Sequence, residues 1–128
     1  MKEVTAIIRM NMINKTKKAL SLEGFDSITC RKVYGRGKKK VDYELISELL
    51  AGEDIKSPQV AESVSEGHRL ISKRLITLIV NDDEVEKVVE TIINVNRTDN
   101  PGDGKIFILP IEDAVRVRTG ESGEEAIQ

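Results

Sequence analysis

The chain has no tryptophan, and only two tyrosines and two phenylalanines among its 128 residues. A core must therefore be built from Ile, Val and Leu. The aromatic platform on which single-stranded nucleic acids stack is missing as well. One cysteine, Cys30, excludes an internal disulfide and agrees with a reducing cytoplasm. His68 is the single histidine, so a Cys/His zinc centre within one chain is excluded, and no metal site is expected. No apolar run approaches the roughly 20 residues that cross a bilayer. The opening MKEVTAIIRMNM has an apolar stretch too short for a secretory signal, so no membrane insertion and a cytoplasmic location are expected. A formal net charge of −2 gives no general attraction for nucleic acid. With 39% hydrophobic and 33% charged residues, residues 1–128 read as one soluble domain, small for a self-contained two-substrate enzyme.

The periodicities define an order of elements. From Glu3 to Arg9, Val4, Ala6 and Ile8 alternate with Thr5, Ile7 and Arg9 as in a half-buried strand. From Ile13 to Leu22 a modest helical stripe follows through Ile13, Lys17, Ala19 and Leu20, with Asn11 or Asn14 as its cap and Gly24 as its stop. Phe25 to Tyr34 reads as a second strand that places Cys30 as a small core residue. Residues 70–80, LISKRLITLIV, are the strongest strand signal. Asn81 and Asp82 then signal a helix whose apolar face is Val85, Val88, Val89, Ile92 and Ile93. After Asn100-Pro101-Gly102, Lys105 to Leu109 supplies a fourth strand, followed by a C-terminal extension, 110–128. The expected fold is α+β, a ferredoxin-like split βαβ (βαββαβ) sandwich, with two helices on one face of a four-stranded antiparallel sheet. The other face would be bare and apolar, and assembly into a trimer would cover it.

A long segment, 37–69, separates strands that should be neighbours, where a hairpin loop usually has only a few residues. Its foot is basic, with Arg31, Lys32, Arg36, Lys38, Lys39 and Lys40. From Asp42 to Gly67 seven acids face the single base Lys56. Tyr43, Leu45, Ile46, Leu49 and Leu50 lie at helical spacing before Gly52, too short a helix to hold alone. They suit a segment that orders against a partner protein.

Two segments carry the chemistry. Residues 102–121, GDGKIFILPIEDAVRVRTGE, join a Gly-Asp-Gly-Lys turn to an apolar strand and an Arg-Val-Arg-Thr-Gly run. Gly102 and Gly104 permit positive φ and turn amides toward an anion, and Lys105 adds charge. Arg116 and Arg118, two apart, would share one face of an extended chain. Gly35-Arg36-Gly37-Lys38-Lys39-Lys40, at the foot of the arm, offers a second set of free amides and cations.

This pair of segments, with the arm between the second and third strands, closely resembles the PII (GlnB-like) signal-transduction proteins, over nearly the whole chain outside the arm. The resemblance implies a trimer with an ATP/ADP site in each intersubunit cleft. It implies nucleotide contacts from Gly35, Gly37 and Lys38, cationic clamps at Lys105, Arg116 and Arg118, and adenine or ribose contacts near Ile7, Thr29 and Ile79. Gly102, Asp103 and Gly104 would line the site. 2-Oxoglutarate would sit near Lys39, Lys40 and Lys73. The arm corresponds to the family's target-docking T-loop.

The chain departs from the family at two places. Lys39 stands where a Gln usually helps to hold Mg²⁺, and a charged Lys has no lone pair for a metal. Thr77 stands where many members carry a glutamate. With the long arm, these departures resemble the nitrogenase-associated branch, whose members inhibit dinitrogenase when 2-oxoglutarate is low, usually with a paired PII-like subunit. Two other functions fit the residues: a general PII regulator of ammonium transport or nitrogen assimilation, and a small phosphoryl-transfer domain with Thr119 as its one candidate nucleophile. No catalytic set is evident, and an enzyme is not expected.

Overall fold

The first strand, β1 (Lys2–Arg9), buries Val4, Ala6 and Ile8 and turns Glu3, Thr5, Ile7 and Arg9 the other way, following the alternation in its sequence. In the computed structural model, which describes residues 1–36 and 70–128, it is joined by β2 (Thr29–Gly35), β3 (Ile71–Val80) and β4 (Lys105–Pro110). The sheet order is β2-β3-β1-β4. Both partners of β1 run antiparallel to it, with Ala6 opposite Ile76 on β3 and Ile106 on β4. Helices α1 (Ile13–Leu22) and α2 (Val85–Asn96) complete the expected βαββαβ arrangement. Residues 1–32 and 73–128 form one compact unit, and the described residues 33–36 and 70–72 are not part of it. The arm residues Gly37, Lys38, Lys39, Lys40, Tyr43, Leu45, Ile46, Leu49 and Leu50 lie outside the described residues, as does His68.

The core sits between the helices and one sheet face. It contains Val4, Ala6, Ile8, Leu20, Ile76, Leu78, Val80, Val88 and Ile92, without an aromatic residue. At its centre a polar link joins the helices. The buried Asn96 amide donates to Thr16 Oγ1 (3.1 Å) and to the Ile92 carbonyl (2.9 Å), while Thr16 Oγ1 donates to the Met12 carbonyl (2.7 Å). A buried amide needs such partners, and here they hold the two helices in one register.

Several local expectations are corrected. Thr16, not Lys17, joins Leu20 in the buried stripe of α1, because Lys17 falls on the solvent side. Neither Asn11 nor Asn14 caps α1. A 3₁₀ turn, Met10–Met12, leads straight into it, and Met12 at its start is already helical in φ and ψ. β2 begins at Thr29 rather than Phe25, and Phe25 and Ile28 pack on the core from the connecting segment. Cys30 is exposed, because β2 is an edge strand with little over it among the described residues.

Two helix ends follow the sequence signals. Gly24, at φ +91°, ends α1, with Phe25 N–H donating to the Leu20 carbonyl (2.9 Å) and Gly24 N–H to that of Ser21 (3.0 Å). Before α2, Asn81 N–H donates to Glu84 Oε1 (3.0 Å).

The helix-free face carries Ile7, Leu75, Ile79, Phe107 and Leu109, with Phe107 and Leu109 nearly half exposed. On it Thr77 Oγ1 meets Thr5 Oγ1 at 3.3 Å. That contact gives the Thr77 hydroxyl a partner within the sheet.

In urea denaturation, Ile92→Ala is expected to lower stability by about 2–5 kcal/mol through the cavity it leaves. Asn96→Ala is expected to cost about 1–3 kcal/mol by removing the buried amide that links Thr16 Oγ1 to α2. Equal stabilities of both variants and the parent chain would contradict this packing.

Candidate functional site: the glycine turn and its cations

At one end of the sheet, β1 and β4 begin to separate at the Ile7–Lys105 pair. Gly104 precedes that pair with φ +111°, and a Cβ there would lie 1.9 Å from the Ile7 carbonyl oxygen. Only glycine admits this approach of two backbones. Gly102, at φ +99°, sits under Arg9, whose Nη2 would be 3.2 Å from an added Cβ. Asp99 is the single non-glycine residue with positive φ (64°) among the described residues. The segment from Thr98 to Gly104 is thus a tight, left-handed turn, as its glycines predict.

Asp103 organises it. Its carboxylate accepts from Arg9 Nη1 (2.7 Å), from Thr98 N–H (2.7 Å), from Asp99 N–H (3.0 Å) and from the Thr98 hydroxyl. These bonds, the Thr98 hydroxyl foremost, then the Thr98 amide and Arg9, hold its carboxyl well below the usual carboxylate range. Arg9 uses its other fork on the Pro101 carbonyl (3.1 Å). Lys73, opposite Arg9 in the β1–β3 register, donates to the Gly102 carbonyl (2.9 Å). Partial burial and the neighbouring Arg9 charge lower the Lys73 pKa, against the opposing pull of Asp103.

The fold therefore brings together Ile7, Gly102, Asp103, Gly104, Lys105 and Lys73 from the candidate set. It adds Arg9, Thr98 and Asp99, which sequence reasoning missed. Arg9 was legible in part, as a cation two residues beyond Ile7 on the same strand face. Ile79 shares that face but pairs with Glu3, four residues along β1 from Ile7, or about 13 Å. Thr29 is exposed at the start of β2, and Gly35 closes that strand without positive φ.

Arg116 and Arg118 do not lie on an extended chain. Arg116 N–H donates to the Glu121 carbonyl (2.8 Å) and Gly120 N–H to that of Arg116 (2.7 Å), which closes a turn around Val117–Thr119. The Arg116 guanidinium folds back onto the Glu121 carboxylate (3.1 Å) and the carbonyls of Glu125 (2.9 Å) and Gln128 (2.6 Å). Gly120, at φ +74°, makes the reversal possible, and this backbone demand outweighs the alternation that the Arg-Val-Arg spacing suggested. A groove of about 340 Å³ between α2 and β4, walled by Val89, Ile92, Ile93 and Ile108, reaches Asp103, Gly104 and Lys105 at the glycine turn. Among the described residues no group of three or more His, Cys, Asp or Glu is placed to hold a metal ion.

The chain is a split βαβ sandwich whose glycine turn is pinned by two cations at one end of the sheet. Residues 1–121 match the model of the family described as Nitrogen regulatory protein P-II, and the chain belongs to that family. It is 47% identical to the nitrogen fixation nifHD region GlnB-like protein 2 of Methanobacterium ivanovii, over 99% of each chain. It is 41% identical to the nifHD1 region GlnB-like protein 2 of Methanosarcina barkeri, over the full length of both. The crystal structure of Arabidopsis thaliana PII bound to citrate is similar with a TM-score of 0.71 and 31% identity, covering 99% of this chain and 89% of that one. The chain is thus a PII nitrogen regulatory signal protein of the nifHD GlnB-like branch. None of its helices among the described residues is long and apolar enough to cross a membrane.

Gly104→Ala is expected to destabilise the protein more than Gly24→Ala. Both positions have positive φ, but only the first meets a backbone oxygen, whereas nothing lies within 4 Å of a Cβ at Gly24. Equal shifts in thermal midpoint would show that the close approach is not as described.

A depressed folded pKa at Asp103 stabilises the turn fully above the ordinary value of 3.8, and that contribution is lost as pH falls through the folded value. Protection of the Thr98 and Asp99 amides from hydrogen exchange, corrected for intrinsic rates, should therefore be the same at neutral pH and at a pH just above 3.8. It should fall at both in Asp103→Ala. Loss of protection in the parent chain already at a pH just above 3.8 would refute the assignment.

Proposed function

We propose that the protein senses ATP or ADP together with 2-oxoglutarate and controls a target protein through its long arm. Its target in this reading is dinitrogenase, inhibited when 2-oxoglutarate is low. The observation that carries the reading is the glycine turn at Gly102–Gly104, pinned between Arg9 and Lys73 and followed by Lys105. The nifHD-region names of relatives at 41–47% identity support the nitrogenase branch. The citrate in the Arabidopsis relative supports a carboxylate effector.

In this reading the protein works as a homotrimer, or as a hetero-oligomer with a paired PII-like subunit. The bare face bearing Ile7, Leu75, Ile79, Phe107 and Leu109 packs inward. The phosphates lie on the Gly102–Lys105 turn and on Gly35, Gly37 and Lys38, with Arg116 and Arg118 as clamps. Ile7, Thr29 and Ile79 bound the nucleoside. Arg116 must exchange its own-chain acceptors for phosphate oxygens. 2-Oxoglutarate pairs with Lys73, Lys39 and Lys40. If Mg²⁺ takes part, its ligands come from the phosphates and the effector, because Lys39 replaces the side chain that would otherwise supply one.

The protein's part is to bind and to shift populations. A ligand that touches the foot of the arm differently in two arm conformations favours one of them by its difference in affinity. No bond is made or broken, so no nucleophile is needed.

Calorimetry on the full chain should show 2-oxoglutarate binding at least about tenfold more weakly without nucleotide, a coupling of the usual allosteric size. Lys105→Ala should weaken ATP by about tenfold through the loss of one charge-assisted contact. Equal affinity for 2-oxoglutarate with and without ATP would sink the proposal. A pull-down of dinitrogenase that 2-oxoglutarate plus ATP does not weaken would remove the nitrogenase part.

A further inference from the structure

We infer that Asp103 is a positioning residue of the phosphate turn and not a ligand, and that it acts through Arg9 and Thr98. The inference rests on the proposed nucleotide site at Gly102–Lys105 and says which residues give that site its shape.

The argument begins with lone pairs. A carboxylate has about four acceptor positions. Those of Asp103 are used by Arg9 Nη1, Thr98 N–H, the Thr98 hydroxyl and Asp99 N–H. A metal ion would have to displace an ion pair of 2.7 Å, and a phosphate would meet like charge. Direct ligation of either is therefore disfavoured.

The same bonds fix the turn from the inside. Thr98 and Asp99 are tied to a residue four or five positions ahead, which closes the loop across Pro101. Arg9 then ties the closed loop to β1, and its second fork takes the Pro101 carbonyl. Lys73 takes the next carbonyl, that of Gly102. All peptides here are trans, and in a planar trans peptide the C=O and N–H point in opposite directions. Holding the Pro101 carbonyl on Arg9 consequently turns the Gly102 N–H away from it. Holding the Gly102 carbonyl on Lys73 does the same for the Asp103 N–H, which closes the turn on the Asn100 carbonyl (3.4 Å) and leaves the Gly102 N–H as the amide so aimed. The two cations and the anchored carboxylate thus set the shape of the turn and the direction of the Gly102 amide before Lys105.

The sign of one substitution separates this role from its alternatives. If Asp103 were a bystander, removing its charge would strengthen binding of a polyphosphate, because a nearby negative charge is gone. If it held Mg²⁺, the loss would appear only when Mg²⁺ is present. A positioning role predicts weaker binding with or without the metal, because the turn loses its shape.

The experiment is calorimetric titration of the full chain with ADP, in EDTA and in Mg²⁺. Asp103→Asn should weaken ADP by roughly tenfold under both conditions, as expected for loss of a charge-assisted anchor. Thr98→Val should weaken it in the same direction, and Thr98→Ser, which restores the hydroxyl, should bind as the parent does. Should Asp103→Asn not fold, the Thr98→Val and Thr98→Ser pair decides. Tighter or unchanged ADP binding by Asp103→Asn, weakening confined to Mg²⁺, or failure of Thr98→Ser to recover binding would overturn the inference. Lys105→Ala is the control that separates it from the site itself. Unchanged ADP affinity there removes the nucleotide reading, whereas weakened affinity there with an unchanged Asp103→Asn removes only the role of Asp103.

Discussion

Ile7 and Gly104 approach so closely that a single added carbon at Gly104 would fall 1.9 Å from the Ile7 oxygen. Much of the site depends on that approach. It brings the start of β4 against β1, so that Lys105 faces Ile7 and the turn before it stands over Arg9 and Lys73. A wider separation would leave Arg9 too far to hold Asp103, and the turn would lose its anchor. The core supports this contact from below, since Ile8, the next residue of β1, is buried among Ile76 and Ile92. Packing on one face of the strand thus fixes the backbone from which the other face works.

The two faces of the sheet divide the labour. The helix side is filled by aliphatic residues and locked by the Asn96–Thr16 link, and it gives a rigid platform. The helix-free side mixes apolar residues with Glu3, Thr5 and Thr77 and is cationic at one end, where Arg9 and Lys73 stand side by side. Two like charges so near each other are tolerable because each has an acceptor: Asp103 and Pro101 for Arg9, Gly102 for Lys73. Lys73, whose acceptor is a neutral carbonyl, is the cation better able to exchange it for a carboxylate. Arg9, paired with a charge, is the more firmly committed of the two.

Much of this was legible in the residues. The alternation in Glu3–Arg9, the stripe from Val85 to Ile93 and the glycines at 24, 102 and 104 each specify a local conformation by sterics or periodicity, and those elements formed as read. Side-chain partners were less legible. Asn96 and Thr16 are 80 residues apart, as are many buried pairs, and neither shows in a hydropathy pattern that it will find the other. Cys30 was misplaced because strand periodicity does not say which strand lies at an edge. Arg116 was misplaced because the spacing of Arg-Val-Arg was read as extended, whereas Gly120 turns the chain and offers the guanidinium acceptors from its own extension.

The sequence by itself determined the order of elements, the apolar faces of β1 and α2 and the left-handed turn, because each follows from interactions among neighbours in the chain. The membership of a regulatory family was legible there too, in the two glycine-and-cation segments. Only the tertiary structure decided that Asp103 faces inward to Arg9 and Thr98, that Lys73 reaches Gly102, and that Arg116 is occupied by its own C-terminal segment. The reason is that hydrogen-bonding capacity is a property of a residue, whereas the partner that satisfies it is set by which backbones the core brings within 3 Å.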